Sequence, residues 1–537
     1  MKKIVLFQLL LCVLCVSNSK AEIHITEIMT NNVATIVSDK YNYDGYVEFY
    51  NDDSAVDLKG WTVTNIKEGK TDWSLVLDSS HVIPNGYSLL FFGNEESSSS
   101  TAMRVHHTYA GSVPQKLSTE EGVILFSKDE KNIVLSYPKQ YPHIAYCEDG
   151  FMIPSPGVAN DGLTTDIVNR VPSPTFKTNT PGLYESALTV ELDCEVEDAQ
   201  IYYTLNGDIP TPTNGTRYEG AISIEQTTVV RARAYREGML FSEILTGSFI
   251  LPDKFYEACK GVGTRLPVVS LSGNNEDIFG DSLGLYVEGT NGIVSGCYDF
   301  PANYNREWMR SANFEYILDG NVVDNQEVEI GVYGGCTRIH VAKSLKIKAN
   351  KRSGKSKMQY DNFFPARDYK KYKSLALRNG GNGYSYVQPR WRDMFIQSLG
   401  DRMNLDRQMA QPVAFYLNGI FYGMMILTER TNEDYVYHNY GLDEDEIDFL
   451  GVGYSCEAGT KEAYNVMIDY VSKSYTNDDF YDRLATMMDI DEYIDYQILE
   501  QYVGNTDWVS NNIKLWRKHD GGKFRWILYD TDFGLSK

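Results

Sequence analysis

The sequence predicts a multidomain chain, two all-β sandwiches followed by a mixed α+β domain, and three observations carry that prediction. From Ile23 to about Asn160, and again from Pro172 to Leu251, apolar and polar residues alternate in short runs split by Gly, Asn, Asp and Pro, as in antiparallel strands joined by turns. From about Arg265 onward, helical spacings appear and Gly and basic residues cluster. A length of 537 residues allows about three or four domains of ordinary size.

The chain opens with Met1-Lys2-Lys3, an apolar run from Ile4 to Val16, then Ser19-Lys20-Ala21. These are the charged, apolar and small-residue regions of a secretory signal, here expected over residues 1–21 with cleavage after Ala21. The apolar run is shorter than the ~20 residues that span a bilayer. No later segment is long and apolar enough, so no transmembrane segment is expected after signal removal, and a secreted or cell-surface location follows. Of the eight cysteines, Cys12 and Cys15 fall in the signal, leaving Cys147, Cys194, Cys259, Cys297, Cys336 and Cys456, without the close pairs of a zinc site. Export permits disulfides, and Cys259 with Cys297 is the first pair to test, because they bracket the opening of the last domain.

A net charge of −23 argues against a nucleic-acid partner, whose phosphates need dense Lys and Arg, and suits basic protein substrates. The acidic run Asp443-Glu444-Asp445-Glu446 lacks the alternating ligands and central Gly of an EF-hand and reads as a solvated loop.

In the first β segment, I-H-I-T-E-I-M-T-N-N, Y-V-E-F-Y-N (Tyr46 to Asn51), D-L-K-G-W-T-V-T-N (Asp57 to Asn65) and P-S-P-G-V-A-N (Pro154 to Asn160) resemble the lamin-tail domain, an immunoglobulin-like fold. The resemblance covers 22–160 and implies a binding or spacer module without catalytic residues. Trp61, a lone aromatic on an alternating strand, is expected in the core. In the second segment, 172–251, the phrases from Ile201 to Pro210 and from Val229 to Tyr235 look like the fibronectin-like module named for chitobiase C-termini. Asn206-Gly207 is read as a tight turn, with Arg231 and Arg233 sharing the solvent face of a strand. Together the two modules imply cell-surface or glycan attachment.

The last region, 265–537, carries the chemistry. Asp507 precedes Asn512 by five positions, and Tyr529-Asp530-Thr531-Asp532-Phe533-Gly534 follows, the layout of a phosphoryl-transfer site. One carboxylate orients the attacking hydroxyl, while a carboxamide and a second carboxylate hold the metal that bridges the phosphates. Asp507 is the candidate for the first role; Asn512 with Asp530 or Asp532 are candidates for the second, Asp530 being favoured. The His-Arg that precedes such an Asp in protein kinases is replaced by Asn505-Thr506. Asp489 and Glu492 form a capping-box pattern before Ile490, Tyr493, Ile494 and Ile498, read as one apolar helix face, and Asp520-Gly521 joins two strands that bring Asn512 toward Asp530 and Asp532.

Upstream, Gly331, Gly334 and Gly335 precede a strand in which Lys346 and Lys348 alternate with Leu345, Ile347 and Ala349. Glycines let backbone amides approach phosphates, and an ammonium offsets their charge. The alternative is an amphipathic strand whose lysines discourage aggregation. A helix is expected near Arg390 to Met403, with Trp391, Met394, Phe395 and Leu399 on one face; it contains no Glu.

Glu329 to Ala349, Asn418 to Glu429, Gly504 to Asn512 and Tyr529 to Gly534 occur in the order found in the spore-coat protein H (CotH) kinase family, which this region resembles. The resemblance implies a protein-kinase-like fold, ATP and Mg²⁺ as cofactors, and phosphorylation of Ser in secreted or coat proteins. It makes Lys343 and Lys346 the candidate phosphate-binding lysines, with Arg338 auxiliary. Asp393, Asp401 or Glu429 are candidates for the acid that pairs with the lysine. The chain stops three residues after Gly534, which reads as a lobe truncated at its C-terminus with the 490–504 helix surface exposed. The competing reading is a catalytically silent scaffold, a pseudokinase.

Overall fold

The structure, a computed structural model, describes residues 23–93, 109–160, 162, 164–251, 266–352, 354–368, 371–381 and 389–535. The expected signal segment and Cys259 lie outside the described residues. The chain divides into two compact units at Val168/Asn169.

The first unit packs a six-stranded sheet against a four-stranded one. Val47, Phe49, Leu90 and Phe92 from the larger sheet meet Val63, Ile124, Phe126 and Leu135 from the smaller, and Trp61 joins this core as expected. Two buried acids close the sandwich. Glu27 accepts hydrogen bonds from the Ser155 amide (3.0 Å) and hydroxyl (3.2 Å), and Glu48 accepts the Gly157 amide (2.5 Å). The P-S-P-G turn is thus tied to the two strands whose phrases it accompanies. Burial raises both acids' pKa values, that of Glu48 to about 7.

The second unit is built on a closed barrel. In chain order its strands are β1 (Val268–Ser272), β2 (Arg310–Leu318), β3 (Asn321–Val332), β4 (Leu345–Lys348), β5 (Ser374–Arg378), β6 (Ala410–Leu417) and β7 (Ile420–Glu429). Pairing runs β3-β2-β1-β6-β7-β5-β4 and returns from β4 to β3, through Ile330 opposite Ile347. Closure leaves no open edge within the ring. Leu345 and Ile347 are buried while Lys346 and Lys348 turn outward, the alternation expected of β4. Asn418 and Gly419 make the β6–β7 turn, both with positive φ.

The 172–251 segment shares this sheet. Strand Leu245–Ile250 pairs through the two residues Gly182–Leu183 with Asn321 at the start of β3. Its joint with the barrel is polar. Arg231 donates to Gly207 O (2.9 Å), to Thr246 Oγ1 (3.2 Å) and to Glu327 (3.3 Å), and Asn325 donates to Thr246 O (2.9 Å). Arg231 and Arg233 are therefore not on a solvent face; both are buried, Arg233 lying over Phe241 at 4.3 Å. The alternation misled because the barrel side of this sheet is covered as well.

Buried Glu315 on β2 accepts from the Ser248 amide (3.1 Å) and hydroxyl, and burial lifts its pKa to about 7 against the pull of those bonds. A carboxyl held above its unfolded value of 4.5 adds stability at pH below that value, and the contribution is lost as pH rises through about 7. The thermal midpoint is expected to fall between pH 4.5 and 7.5, with Glu315 contributing on the order of 3 kcal/mol. In Glu315→Gln that part of the slope disappears; an unchanged slope would contradict the assignment.

Below the barrel, helix α1 (Arg392–Leu399) precedes β6, and helix α2 (Ile490–Tyr502) packs on a five-stranded sheet containing β8 (Ile447–Leu450), β9 (Leu515–Lys518) and β10 (Arg525–Leu528). β9 and β10 form the expected hairpin, Leu515 opposite Trp526, with positive φ at Asp520 and Gly521. Strand outweighs helix over the described residues as a whole, but below the barrel helix predominates, with Glu462–Ser474 and α2 its longest helices. Asp489 caps α2 by accepting from the Glu492 amide (3.2 Å), but Glu492 does not complete the box: its carboxylate takes the Trp526 amide (3.1 Å).

α1 presents the opposite face from the one its apolar spacing suggested, and α2 does so in part, since Ile490 and Tyr493 pack against the core as expected. Ile494, Ile498 and Tyr502 of α2 are exposed, while Tyr496, Leu499 and Glu500 face inward. On α1, Phe395 and Leu399 are exposed with neighbouring Trp391, and Asp393 and Ile396 are buried. Polar groups were counted outward in the spacing, yet these acids have partners inside.

Candidate active site

The loop after α2 turns at Gly504 (φ 59°), and the backbone then passes Val509 and Asn512, both with positive φ. The Asp507 amide donates to Asn505 Oδ1 (3.2 Å). Its carboxylate accepts from Asn511 Nδ2 (3.2 Å to Oδ2) and Asn512 Nδ2 (3.0 Å to Oδ2). The same Asn512 amide nitrogen reaches Asp530 O at 3.4 Å. Asp507, Asn512 and Asp530 thus share one site, as their spacing predicted.

Asp530 lies two residues past β10 with φ 53°, a left-handed conformation that Asp tolerates better than most residues. The two acids therefore do not lie side by side on an extended strand end. Asp530 keeps a side chain 34% exposed, whereas Asp532 is buried. The Asp532 carboxylate presses on Gly381, where a Cβ would come 2.0 Å from Oδ2; glycine at that position is required by the close approach.

The cation paired with the site's carboxylates is Arg378, at the end of β5, while Arg392 Nη1 donates to Asp532 O (3.1 Å). Its Nη2 is paired with Asp530 Oδ1 and its Nη1 with Asp393 Oδ2 (2.7 Å) on α1. Asp393 Oδ1 in turn accepts the Thr531 amide (2.9 Å) and hydroxyl (2.8 Å). Burial opposes the charge of Arg378, but Asp530, Asp393 and Asp532 together raise its pKa. On α2, Glu500 is pushed up to about 7 by burial, lowered in part by the Asn505 amide (2.9 Å) and raised further by Asp393.

Residues 330–537 match the family model described as CotH kinase protein. The chain carries a CotH kinase domain. Residues 179–246 match the model described as chitobiase/beta-hexosaminidase C-terminal domain. No curated protein matches the chain significantly. The CotH kinase match includes β4 to β10 and every residue named in the site, while β1, β2 and most of β3 precede it.

Within the CotH kinase domain, the lysines make their bonds away from these carboxylates. Lys346 (2.7 Å) and Arg338 (2.6 Å) converge on Glu307. Lys343 is buried, donates to Arg338 O (2.6 Å) and His340 O (3.2 Å), and lies 4.0 Å from the Tyr304 ring centre; burial lowers its pKa to about 8. Glu429 is buried against Arg367 (2.6 Å), and Asp401 pairs with Arg407 (2.5 Å). Of the three candidate acids, Asp393 is the one at the site, and its partner is an arginine one strand over from the lysines. The register that puts Leu345 opposite Leu377 moves the cation from β4 to β5.

The glycine loop between β3 and β4 is anchored by a disulfide, Cys297–Cys336, in place of the expected Cys259–Cys297 pair. Tyr333, at the loop's start, lies within electrostatic reach of Arg378 and Tyr529.

Among the described residues, no group of three or more His, Cys, Asp or Glu is placed to hold a metal. The donors at this site are instead one carboxylate, Asp530, whose Oδ2 is outside the Arg378 pair, and the Asn512 amide oxygen, whose nitrogen is already engaged. Mg²⁺ accepts such a set, because it takes oxygen ligands and fills its remaining positions with water and phosphate.

Proposed function

We propose that this protein is a secreted, ATP- and Mg²⁺-dependent protein Ser/Thr kinase of the CotH type, its β modules serving surface or substrate attachment. The observation that carries the reading is the single site shared by Asp507, Asn512 and Asp530. Asp507, oriented by two asparagine amides, receives the proton of the substrate hydroxyl at a carboxylate oxygen. Asn512 and Asp530 are the residues that would hold Mg²⁺. When bound, the metal neutralises charge on the transferred phosphoryl group. Basic, Ser-containing proteins of the coat or cell surface are the substrate class that the chain's charge of −23 favours. Among the described residues no helix is long and apolar enough to cross a membrane. The competing scaffold reading rested partly on the missing helix Glu, and Asp393 with Arg378 offers a counterpart to that pair.

The test is radiolabelled ATP with a synthetic Lys- and Ser-rich peptide. Transfer is expected with Mg²⁺ and lost with EDTA, and Asp530→Asn is expected to weaken Mn²⁺ binding by about tenfold or more, since it removes a charged ligand. No transfer by the wild type, together with no heat from millimolar ATP and Mg²⁺, would favour the scaffold.

A further inference from the structure

Three carboxylates, Asp393, Asp530 and Asp532, surround the guanidinium of Arg378, while Arg392 Nη1 reaches the same turn at Asp532 O (3.1 Å). An arginine does not give up its proton in a protein, so this positive charge is permanent. It occupies Asp530 Oδ1, the carboxylate whose other oxygen is available to a cation. The guanidinium therefore has two opposite electrostatic effects at one place. It repels a bare divalent cation approaching Asp530, and it attracts the phosphates of a nucleotide. Its fork also fixes the site mechanically, because Asp393 holds Arg378 with one oxygen and the Thr531 backbone with the other.

We propose that Arg378 is the positioning cation of this site, holding Asp530 in its left-handed conformation and attracting nucleotide phosphate, the part that the family resemblance implies for Lys343 or Lys346. The proposal rests on the kinase reading above. It separates Arg378 from a merely structural residue, since structural loss weakens both ligands whereas loss of this cation shifts them in opposite directions.

The experiment uses the full chain and two probes, Mn²⁺ alone followed by electron paramagnetic resonance, and ADP in EDTA followed by calorimetry. Arg378→Met is expected to bind Mn²⁺ about threefold tighter and metal-free ADP about tenfold weaker, with Arg378→Lys between the variant and the wild type. If Arg378→Met lowers the thermal midpoint so far that it is unfolded, the double variant R378M/D393N, which removes the more buried of the two paired carboxylate charges, carries the same ADP readout. Unchanged ADP affinity in whichever of these variants folds, or a parallel loss of both ligands, overturns the proposal and leaves the kinase reading standing. A wild type that binds neither Mn²⁺ nor ADP overturns both.

Discussion

Asp507→Ala is expected to lower phosphoryl transfer by roughly 10²–10⁴-fold, the range a positioned proton acceptor contributes, with ADP affinity and the thermal midpoint close to wild type. The separation follows from the carboxylate's surroundings. Asp507 is half-buried and its side chain is bonded, among the described residues, to the neutral amides of Asn511 and Asn512, so its removal strands no partner charge there. Asp507→Asn tests the same point more narrowly, because it keeps the shape and removes the proton acceptor. Transfer at the wild-type rate in either variant would remove Asp507 from the chemistry.

The second large effect is on folding. A chain beginning at residue 266 lacks Ser248, Arg231 and strand Leu245–Ile250, and is expected to lose cooperative unfolding, whereas 169–537 retains it. Glu315 would be left without its Ser248 donors and the start of β3 without Gly182–Leu183. The point variant Arg231→Ala is expected to cost about 3–5 kcal/mol, the effect of stranding one member of a largely buried pair; the Arg231 side chain is 2% exposed and that of Glu327 23%. Circular dichroism on the two fragments decides it: a 266–537 fragment melting sharply at the same temperature would show that the barrel stands without its neighbour.

What the sequence disclosed was local. The spacing of Asp507 and Asn512, the Asp520-Gly521 turn and the Asp489 cap are each set within a few residues, and the structure has each of them. The partner of a strand cation is a different kind of property. Arg378 meets Asp530 across 152 positions, and only barrel closure and the β4–β5 register bring them together. An apolar run, Leu375-Ala376-Leu377, ending in Arg378 just before Gly380-Gly381 was the available cue. The helix faces were misassigned for a related reason: Asp393 and Glu500 point inward to partners that no periodicity reveals, and this turns Ile494 and Phe395 outward. The pairing of Cys297 with Cys336 likewise depends on where the glycine loop lies in space.

The two-residue splice Gly182–Leu183 has a bearing on how substrates are met. A catalytic domain on a flexible leash samples a cloud of distances, and its local substrate concentration is an average over that cloud. Here Leu245–Ile250 is joined through Gly182–Leu183 to the start of β3, so on the proposed kinase reading a feature held by the 172–251 segment would sit at a set bearing and range from Asp507. Selectivity would then be a matter of ruler length: serines at the matching offset from that feature would reach the carboxylate, and those nearer or farther would not.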